Sequence, residues 1–443
     1  MDYRFSSYSI VVPLESEPDN VFMMHGYTGA IDVLSKDIAE YLQNHKHFSK
    51  EEIPCSETTM EALEKRGYIT KWTEEEEVEY AKRLANALYR KENILNNNFT
   101  VVVTYDCNFR CPYCFEKGLK KDTTTFTKEM TDKLYKTILE IAPEKKLRSN
   151  TITLYGGEPL LKENKEAVNY LIEQGKKLGF RFTAITNGFD INHYDDLLGP
   201  DSISSLQISI DGLPERHNLQ RKHKLGIPTF DKIIENIGIA LNKKTKVNVR
   251  INTNKDNIEE VQKIQSLLSS IYCDELLSIH AAVIQDFSAI EPSKQNLSVE
   301  DFIDKTSKTK GVEICNNMGV IRKISAAIKN NTPLHLHASQ CSSQTKAFVF
   351  DPLGHIYACW EVVGQQKHCI GNYKYDDVEW NMPAYNNWKQ CTIVMQNCIK
   401  CKFAFLCSGG CPVYRFNNLG ACTNLNKIIN SVVNKAYADL NHL

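Results

Sequence analysis

Apolar residues in the middle of the chain come in short β-branched runs, separated by longer stretches in which apolar positions recur every three or four residues. Runs of the first kind predict strands and stretches of the second kind amphipathic helices, so the alternation predicts successive strand–helix units and an α/β fold. Six strands are predicted, at 99–104, 151–155, 181–186, 205–210, 246–252 and 276–283, with helices near 127–141, 163–177, 191–198, 229–242 and 256–270. Six such units make a partial, open version of the eightfold TIM-like barrel, a (β/α)6 arrangement whose reactive side chains gather at the C-terminal ends of its strands.

The flanks carry other patterns. Alternating runs from Tyr8 to Pro13 and Val21 to His25, helices near 31–43 and 57–66, and the turn from Gly67 to Thr70 predict a small winged-helix-like unit. An acidic run from Glu74 to Glu79 opens an amphipathic helix to about Leu95, expected as a solvated linker. Beyond the barrel, a polar stretch with Pro292 and Pro333 and helices near 299–309 and 317–330 reads as a bridge, and a helix at about 424–440 packs the C-terminus. The expected organisation is therefore 1–95, 96–285, 286–338 and 339–443.

Composition narrows the function. A formal net charge of −1 with 24% charged residues gives no basic face for a nucleic-acid polyanion, and the acidic segments of the first unit argue against duplex binding by a winged helix. The N-terminus lacks a basic start followed by an apolar core, and no eighteen apolar residues run together, so a cytoplasmic location is expected, with no membrane partner. Fifteen cysteines in a reducing compartment point to metal or redox work rather than a disulfide framework.

Ten of those cysteines fall into two groups. Cys107, Cys111 and Cys114 form a CxxxCxxC loop directly after the strand at 99–104, with an aromatic, Tyr113, just before the last thiol. Three thiolates hold three irons of a 4Fe–4S cube and leave the fourth open to a chelating small molecule. A structural zinc site wants four ligands, and no histidine lies near this loop. The second group is Cys341, Cys359, Cys398, Cys401, Cys407, Cys411 and Cys422, spaced Cx12Gx4C, then CxxCx5CxxxC, then a last cysteine. A treble-clef-like zinc knot is the competing reading of this set. Cys55 and Cys273 are read as ordinary core thiols.

The CxxxCxxC loop resembles that of the radical SAM superfamily. The resemblance implies that S-adenosylmethionine binds the open iron through its amino and carboxylate groups. One electron from the cluster would then release a 5'-deoxyadenosyl radical that abstracts hydrogen from substrate. Other segments fit in family order: Gly156-Gly157-Glu158-Pro159 after the second strand, for the methionine ammonium; Thr186-Asn187-Gly188 after the third; and Ser209-Ile210-Asp211-Gly212 with His217 and Arg221 after the fourth. In the last of these, Ser209 and Arg221 would contact ribose and carboxylate. Tyr113 suits packing against adenine, and Arg250 and Asn252 on the fifth strand would also face the cofactor.

The second cysteine group resembles the seven-cysteine SPASM pattern, which implies two auxiliary 4Fe–4S clusters and three in all. Cys398, Cys401, Cys407 and Cys422 would hold the outer cluster, and Cys341, Cys359 and Cys411 the inner one. Eight ligands are needed and the pattern supplies seven; Cys315, Cys369 or Cys391 completes the set, or one iron stays open. The first unit looks like the leader-binding recognition element of peptide-modifying enzymes, which capture a precursor by adding a strand. Together these imply a radical SAM peptide maturase that makes a thioether or carbon–carbon crosslink in a ribosomal precursor, served by flavodoxin or ferredoxin. Alternatives are a sulfatase-maturating enzyme, an epimerase or a decarboxylase and, from another class, a zinc or cluster protein that binds DNA. Against the first, Trp360 follows Cys359, where that family has a catalytic aspartate.

Overall fold

The computed structural model describes residues 2–441 apart from 96, 120–122, 285–294, 307–308, 310–311, 316–318, 396–397 and 418–424. Cys422, expected as an outer-cluster ligand, lies outside the described residues.

The N-terminal unit is a meander of β2 (Ser9–Pro13), β3 (Asn20–His25) and β4 (Ile31–Ser35), followed by α1 (Lys36–Asn44) and α2 (Glu57–Arg66). A short ribbon pairs β1 (Arg4–Phe5) with β5 (Ile69–Thr70). The helix expected near 31–43 begins only at Lys36. Ile31-Asp32-Val33-Leu34 alternates and is partly β-branched, and β3 offers it a complete antiparallel ladder. α2 starts at Ser56, whose hydroxyl accepts from the Thr59 N–H at 3.2 Å, and stops at Gly67 with φ +91°. Met23, Leu42, Phe48, Leu63 and Tyr68 make its core.

The long helix α3 (Glu74–Leu95) leads into the barrel. It is not simply a solvated linker, because Glu77 within its acidic run is fully buried. Six parallel strands follow: β6 (Asn97–Thr104), β7 (Thr151–Gly156), β8 (Arg181–Thr186), β9 (Ile203–Ser209), β10 (Lys246–Thr253) and β11 (Leu277–Val283). Between them run α4 (Lys128–Ile141), α5 (Lys165–Lys177), α6 (Pro214–Gln220), α7 (Phe230–Asn242) and α8 (Val261–Ile271). Phe99, Val101, Val102 and Val103 are each wholly enclosed, the signature of a strand covered on both faces. The helix expected at 191–198 is a single 3-10 turn, Ile191–Tyr194. Asp190, Asn192, His193, Asp195 and Asp196 are weak helix formers, and Gly199 with φ +128° ends the segment.

The parallel sheet is wider than six strands. After α9 (Val299–Thr306), β12 (Glu313–Cys315) adds in parallel beside β11, and α10 (Val320–Asn330) follows. At the other edge β13 (Lys346–Phe350), from the cysteine-rich segment, pairs in parallel with β6. The sheet then turns antiparallel through β14 (His355–Tyr357), β15 (Cys369–Asn372) and β16 (Glu379–Trp380). One hydrogen-bonded sheet therefore carries both the barrel and the first half of the cysteine-rich segment. The rest is α11 (Met382–Lys389), α12 (Ala404–Cys407), α13 (Pro412–Phe416) and α14 (Leu425–Asn441). Asn434 of α14 donates to the Pro13 carbonyl at 3.1 Å and accepts from the Glu15 N–H at 2.8 Å, tying the C-terminal helix to the N-terminal unit.

Candidate active site and cysteine clusters

The loop after β6 is pinned on two sides. The Gly157 N–H donates to the Thr104 carbonyl at 3.0 Å and the Glu158 N–H to that of Asp106 at 2.8 Å. Opposite, the Arg110 N–H donates to the Lys222 carbonyl and the Lys224 N–H to that of Asn108, each at 2.7 Å. This seats the cysteine loop between the β7 turn and the segment following Arg221. Cys107 and Cys111 are buried and Cys114 half-buried, none of them in a disulfide. The Phe109 N–H donates to the Cys107 sulfur at 3.3 Å, and Asn187 Nδ2 stands 4.0 Å from it.

Gly157 is a backbone requirement. A Cβ there would lie 2.2 Å from the Asp106 carbonyl oxygen and 2.4 Å from that of Tyr105. The Glu158 side chain turns inward, accepting from the Asn187 N–H at 2.6 Å, the Thr186 hydroxyl at 2.6 Å and the Leu160 N–H at 2.8 Å. Burial pushes its carboxyl up to about 7 against the pull of those donors. Its carboxylate thus ties the β7 turn to the end of β8.

At the end of β9 the hub is Asp211, a position to which the sequence reading attached no role. Tyr113 donates to its carboxylate, Asn252 Nδ2 donates at 3.1 Å, and the Arg221 guanidinium stands 3.5 Å away. Asn257 holds the Asp211 carbonyl at 2.7 Å. Arg221 also donates to the Tyr113 hydroxyl at 2.7 Å and lies over the Phe109 ring, 5.7 Å from its centroid. Burial opposes the charge of Arg221, but Tyr113, Cys111 and Asp211 outweigh it and hold the guanidinium protonated. Arg221 Nε is buried without a hydrogen-bond partner. Ser209 ends β9, and Arg250, directly opposite it on β10, donates to Asn252 at 2.9 Å. The predicted residues Cys107, Cys111, Cys114, Tyr113, Gly157, Glu158, Ser209 and Arg221 thus all lie at the C-terminal ends of β6, β7 and β9.

This donor set fits the expected cofactors on two counts. None of the three thiols is in a disulfide, and N–H donors are aimed at the Cys107 sulfur, which suits a cluster thiolate. The buried Nε of Arg221 has no partner and awaits an acceptor such as a carboxylate.

In the cysteine-rich segment, Cys341, Cys359 and Cys411 lie within electrostatic reach of one another and of Glu361, and burial pushes all three thiols up. Cys341 is nonetheless exposed as a residue, its inward-facing thiol being the enclosed part. The buried side chain of Gln344 accepts from the Cys341 N–H at 3.1 Å and donates to the Cys391 carbonyl at 2.8 Å and that of Gly410 at 3.5 Å. Between Cys407 and Cys411 the chain runs through three left-handed residues, Ser408, Gly409 and Gly410, and a Cβ on Gly409 would meet the Cys391 carbonyl at 2.3 Å. That turn separates Cys407 from Cys411. Cys398 and Cys401 share a turn closed at 2.8 Å, and Arg415 reaches the Cys398 sulfur at 3.9 Å. Of the extra cysteines, Cys369 donates to the Gly371 carbonyl at 3.1 Å and Cys391 to that of Asn387 at 3.5 Å, while Cys315 ends β12. Tyr155, just before the glycine pair, stacks on Trp360 with ring centroids 5.6 Å apart, so the residue after Cys359 faces the barrel mouth.

Residues 101–268 match the family model described as the Radical SAM superfamily. The cysteine-type anaerobic sulfatase-maturating enzyme of Clostridium perfringens is 24% identical over 332 residues, covering 69% of this chain and 85% of its own length. An S-adenosylmethionine-dependent nucleotide dehydratase of Psychrobacter lutiphocae is 25% identical over 195 residues, 42% of this chain and 63% of the dehydratase. Among solved structures, native anSMEcpe with bound AdoMet and Cp18Cys peptide superposes with a TM-score of 0.58 at 20% identity, covering 78% of this chain and 98% of that one. Streptococcus suis SuiB bound to precursor peptide SuiA gives 0.52 at 13% identity, covering 94% and 97%. At such identities the likeness establishes a common fold. Residues 101–268 therefore form a radical SAM domain, of the kind that works with S-adenosylmethionine and a 4Fe–4S cluster.

Proposed function

We propose that this enzyme matures a ribosomally made precursor peptide, holding the leader on the N-terminal unit while the core of the peptide reaches the barrel mouth. The observation that carries the reading is that one chain joins three parts. These are a radical SAM site at the strand ends, a seven-cysteine segment continuous with the same sheet through β13 and β6, and an N-terminal unit packed on that segment. When bound, S-adenosylmethionine and the cluster at Cys107, Cys111 and Cys114 supply one-electron cleavage that ends in hydrogen abstraction from substrate.

The chain's own residues orient and shield. Arg221, held charged by Tyr113 and Asp211, offers its free Nε to the methionine carboxylate. Gly156 and Gly157 let the β7 turn close onto the backbone that leads into the cysteine loop, and Glu158 keeps that turn against β8. Tyr113 sits against Arg221 and Asp211, with its hydroxyl turned from solvent, and Ser209 stands beside them for the ribose. Two auxiliary clusters, outer at Cys398, Cys401, Cys407 and Cys422 and inner at Cys341, Cys359 and Cys411, would accept an electron or bind substrate. Flavodoxin or ferredoxin would be the external donor. Cys369 and Cys391 each donate to a carbonyl of their own segment, which supports an inner cluster with an iron open to a substrate thiolate and hence a thioether product.

The test is the iron and sulfide content of protein reconstituted without oxygen, alongside a triple alanine variant of Cys107, Cys111 and Cys114. About twelve irons per chain, falling to about eight in the variant, is the expected result. About four irons with zinc in the second group would remove the auxiliary clusters, and zinc alone would remove the radical reading. Mass spectrometry of a cysteine-rich precursor incubated with the enzyme then separates the products. A loss of two hydrogens with one thiol that reduction and alkylation no longer recover marks a thioether, whereas a new aldehyde that reacts with a hydrazine marks formylglycine and would favour the sulfatase-maturating alternative.

A further inference from the structure

Two charged side chains from outside the cysteine-rich segment, the buried Glu92 and the half-buried Lys323, reach into it. Glu92, near the C-terminal end of α3, accepts from the Ala338 N–H at 3.0 Å, the Ser339 N–H at 2.9 Å and the Ser339 hydroxyl at 2.5 Å, with His337 Nδ1 at 3.2 Å. These groups lie just ahead of Cys341, so the carboxylate fixes the approach of the chain to the first inner ligand. Lys323, on α10, donates to the Leu406 carbonyl at 3.2 Å and to the Ser408 hydroxyl at 3.3 Å, the two residues on either side of Cys407. Burial pushes Lys323 down to about 8, while Glu92 and Cys407 pull the other way. Glu92 stays ionised despite its burial because His337, Ser339 and the Ala338 N–H donate to it.

The opposite end of α3 is anchored equally firmly. Glu77 accepts from Arg4 at 2.6 Å, Ser6 at 2.6 Å, Tyr27 at 2.9 Å and the Ser7 N–H at 3.1 Å. The helix is therefore a strut with a buried carboxylate at each end, one in the N-terminal unit and one at the inner ligand loop.

We propose that Glu92 and Lys323 are positioning residues for the two auxiliary clusters, holding Cys341 and Cys407 in place and imposing opposite charges on the clusters' surroundings, and that α3 thereby ties the N-terminal unit to the cluster geometry. The inference rests on the reading of these cysteines as cluster ligands. Groups behind metal ligands orient them, and a fixed charge near a cluster moves its potential. A cation favours the reduced, more negative cluster and an anion disfavours it, so the two residues act in opposite senses.

The experiment uses the full chain carrying the triple alanine substitution at Cys107, Cys111 and Cys114, so that only auxiliary iron is seen. Variants Glu92→Gln, Lys323→Met, Lys323→Arg and Ser339→Ala are compared for iron release to a chelator and for midpoint potentials followed by electron paramagnetic resonance. Glu92→Gln and Lys323→Met are expected to speed iron release by about tenfold or more. Potentials should rise in Glu92→Gln, fall in Lys323→Met and recover in Lys323→Arg. Ser339→Ala removes a single donor, so it keeps the test open if a charge variant fails to fold; it should give a smaller shift in the direction opposite to Glu92→Gln, because it leaves the carboxylate less compensated. Equal potentials and release rates across all folded variants would overturn the proposal. Absence of iron from the triple variant before any further change would instead overturn the auxiliary-cluster reading.

Discussion

The hydroxyl of Tyr8, in the turn just before β2, donates at 2.6 Å to the backbone carbonyl of Ile399, inside the turn between Cys398 and Cys401. Tyr8 is buried and stacks edge-on against Tyr27, and a Cβ on neighbouring Gly26 would lie 2.5 Å from the Lys402 carbonyl. The unit is thus packed directly on the Cys398–Cys401 turn, with no room for an intervening side chain. Replacing Tyr8 by Phe keeps the ring and deletes the donor, leaving the Ile399 carbonyl buried and unpaired. The expected cost is about 1–3 kcal/mol, seen as a lower denaturation midpoint, together with faster iron loss from the outer cysteines in the presence of oxygen. An unchanged midpoint and unchanged iron retention would mean that the contact contributes nothing.

Gly157→Ala probes the β7 turn. The added methyl would overlap the carbonyl oxygens of Asp106 and Tyr105, the residues that lead into Cys107. Backbone atoms cannot swing aside as a flexible side chain would, so the cysteine loop itself must shift. Loss of about four irons per chain and of measurable S-adenosylmethionine binding by calorimetry are the expected outcomes, with the circular dichroism spectrum retained. Full iron with normal binding would show that the loop tolerates the shift.

Arg221→Lys keeps a positive charge and removes the fork. The guanidinium touches Tyr113 and Asp211 on one side and leaves Nε free on the other, an arrangement that an ammonium cannot copy. S-adenosylmethionine affinity should fall by about tenfold or more, roughly 1.4 kcal/mol. Tyr113→Phe, which leaves Asp211 with Arg221 and Asn252, should cost less. Equal losses in the two variants would assign the effect to the Arg221–Tyr113 hydrogen bond rather than to the free Nε.

Much of this was readable in the sequence because strand ends declare themselves. Most barrel strands are apolar runs followed within a few residues by glycine, asparagine or cysteine, and the structure puts Cys107, Gly157, Ser209 and Arg221 at the C-terminal end of the sheet through that simple rule. What escaped depended on contacts distant in sequence. β12 and β13 are short, and only their partners β11 and β6 make them parallel strands of the main sheet. β4 was absorbed into a helix because five alternating residues next to a helical pattern carry little periodic signal. Asp211 was visible as part of a motif, but its role as hub depends on Tyr113, Asn252 and Asn257 converging from three other segments. Glu77 and Glu92 sit on a helix rich in charge and look like a solvated face until the chain folds over them. A buried carboxylate and an exposed one are the same letter.

Acid should weaken this fold, and the sign follows from its histidines. Burial holds His25 down to about 4, His217 down to about 3 and His280 down to about 4. All three are neutral in the native chain near neutrality, whereas in the unfolded chain they protonate below about 6.5. The unfolded state therefore binds more protons as the pH falls through that value, and stability declines until the folded values are reached. At pH 5 each histidine would contribute a loss of up to about 2 kcal/mol. Glu158 works the other way. Its carboxyl, raised to about 7, takes up a proton in the native state first, and this gain offsets roughly one of the histidines. A net fall in denaturation midpoint between pH 7 and pH 5 is expected, and His25→Gln should make the dependence shallower, because an amide in that pocket has no proton to gain. A midpoint that rises or stays level over that interval would mean that the histidines are solvated in the native chain.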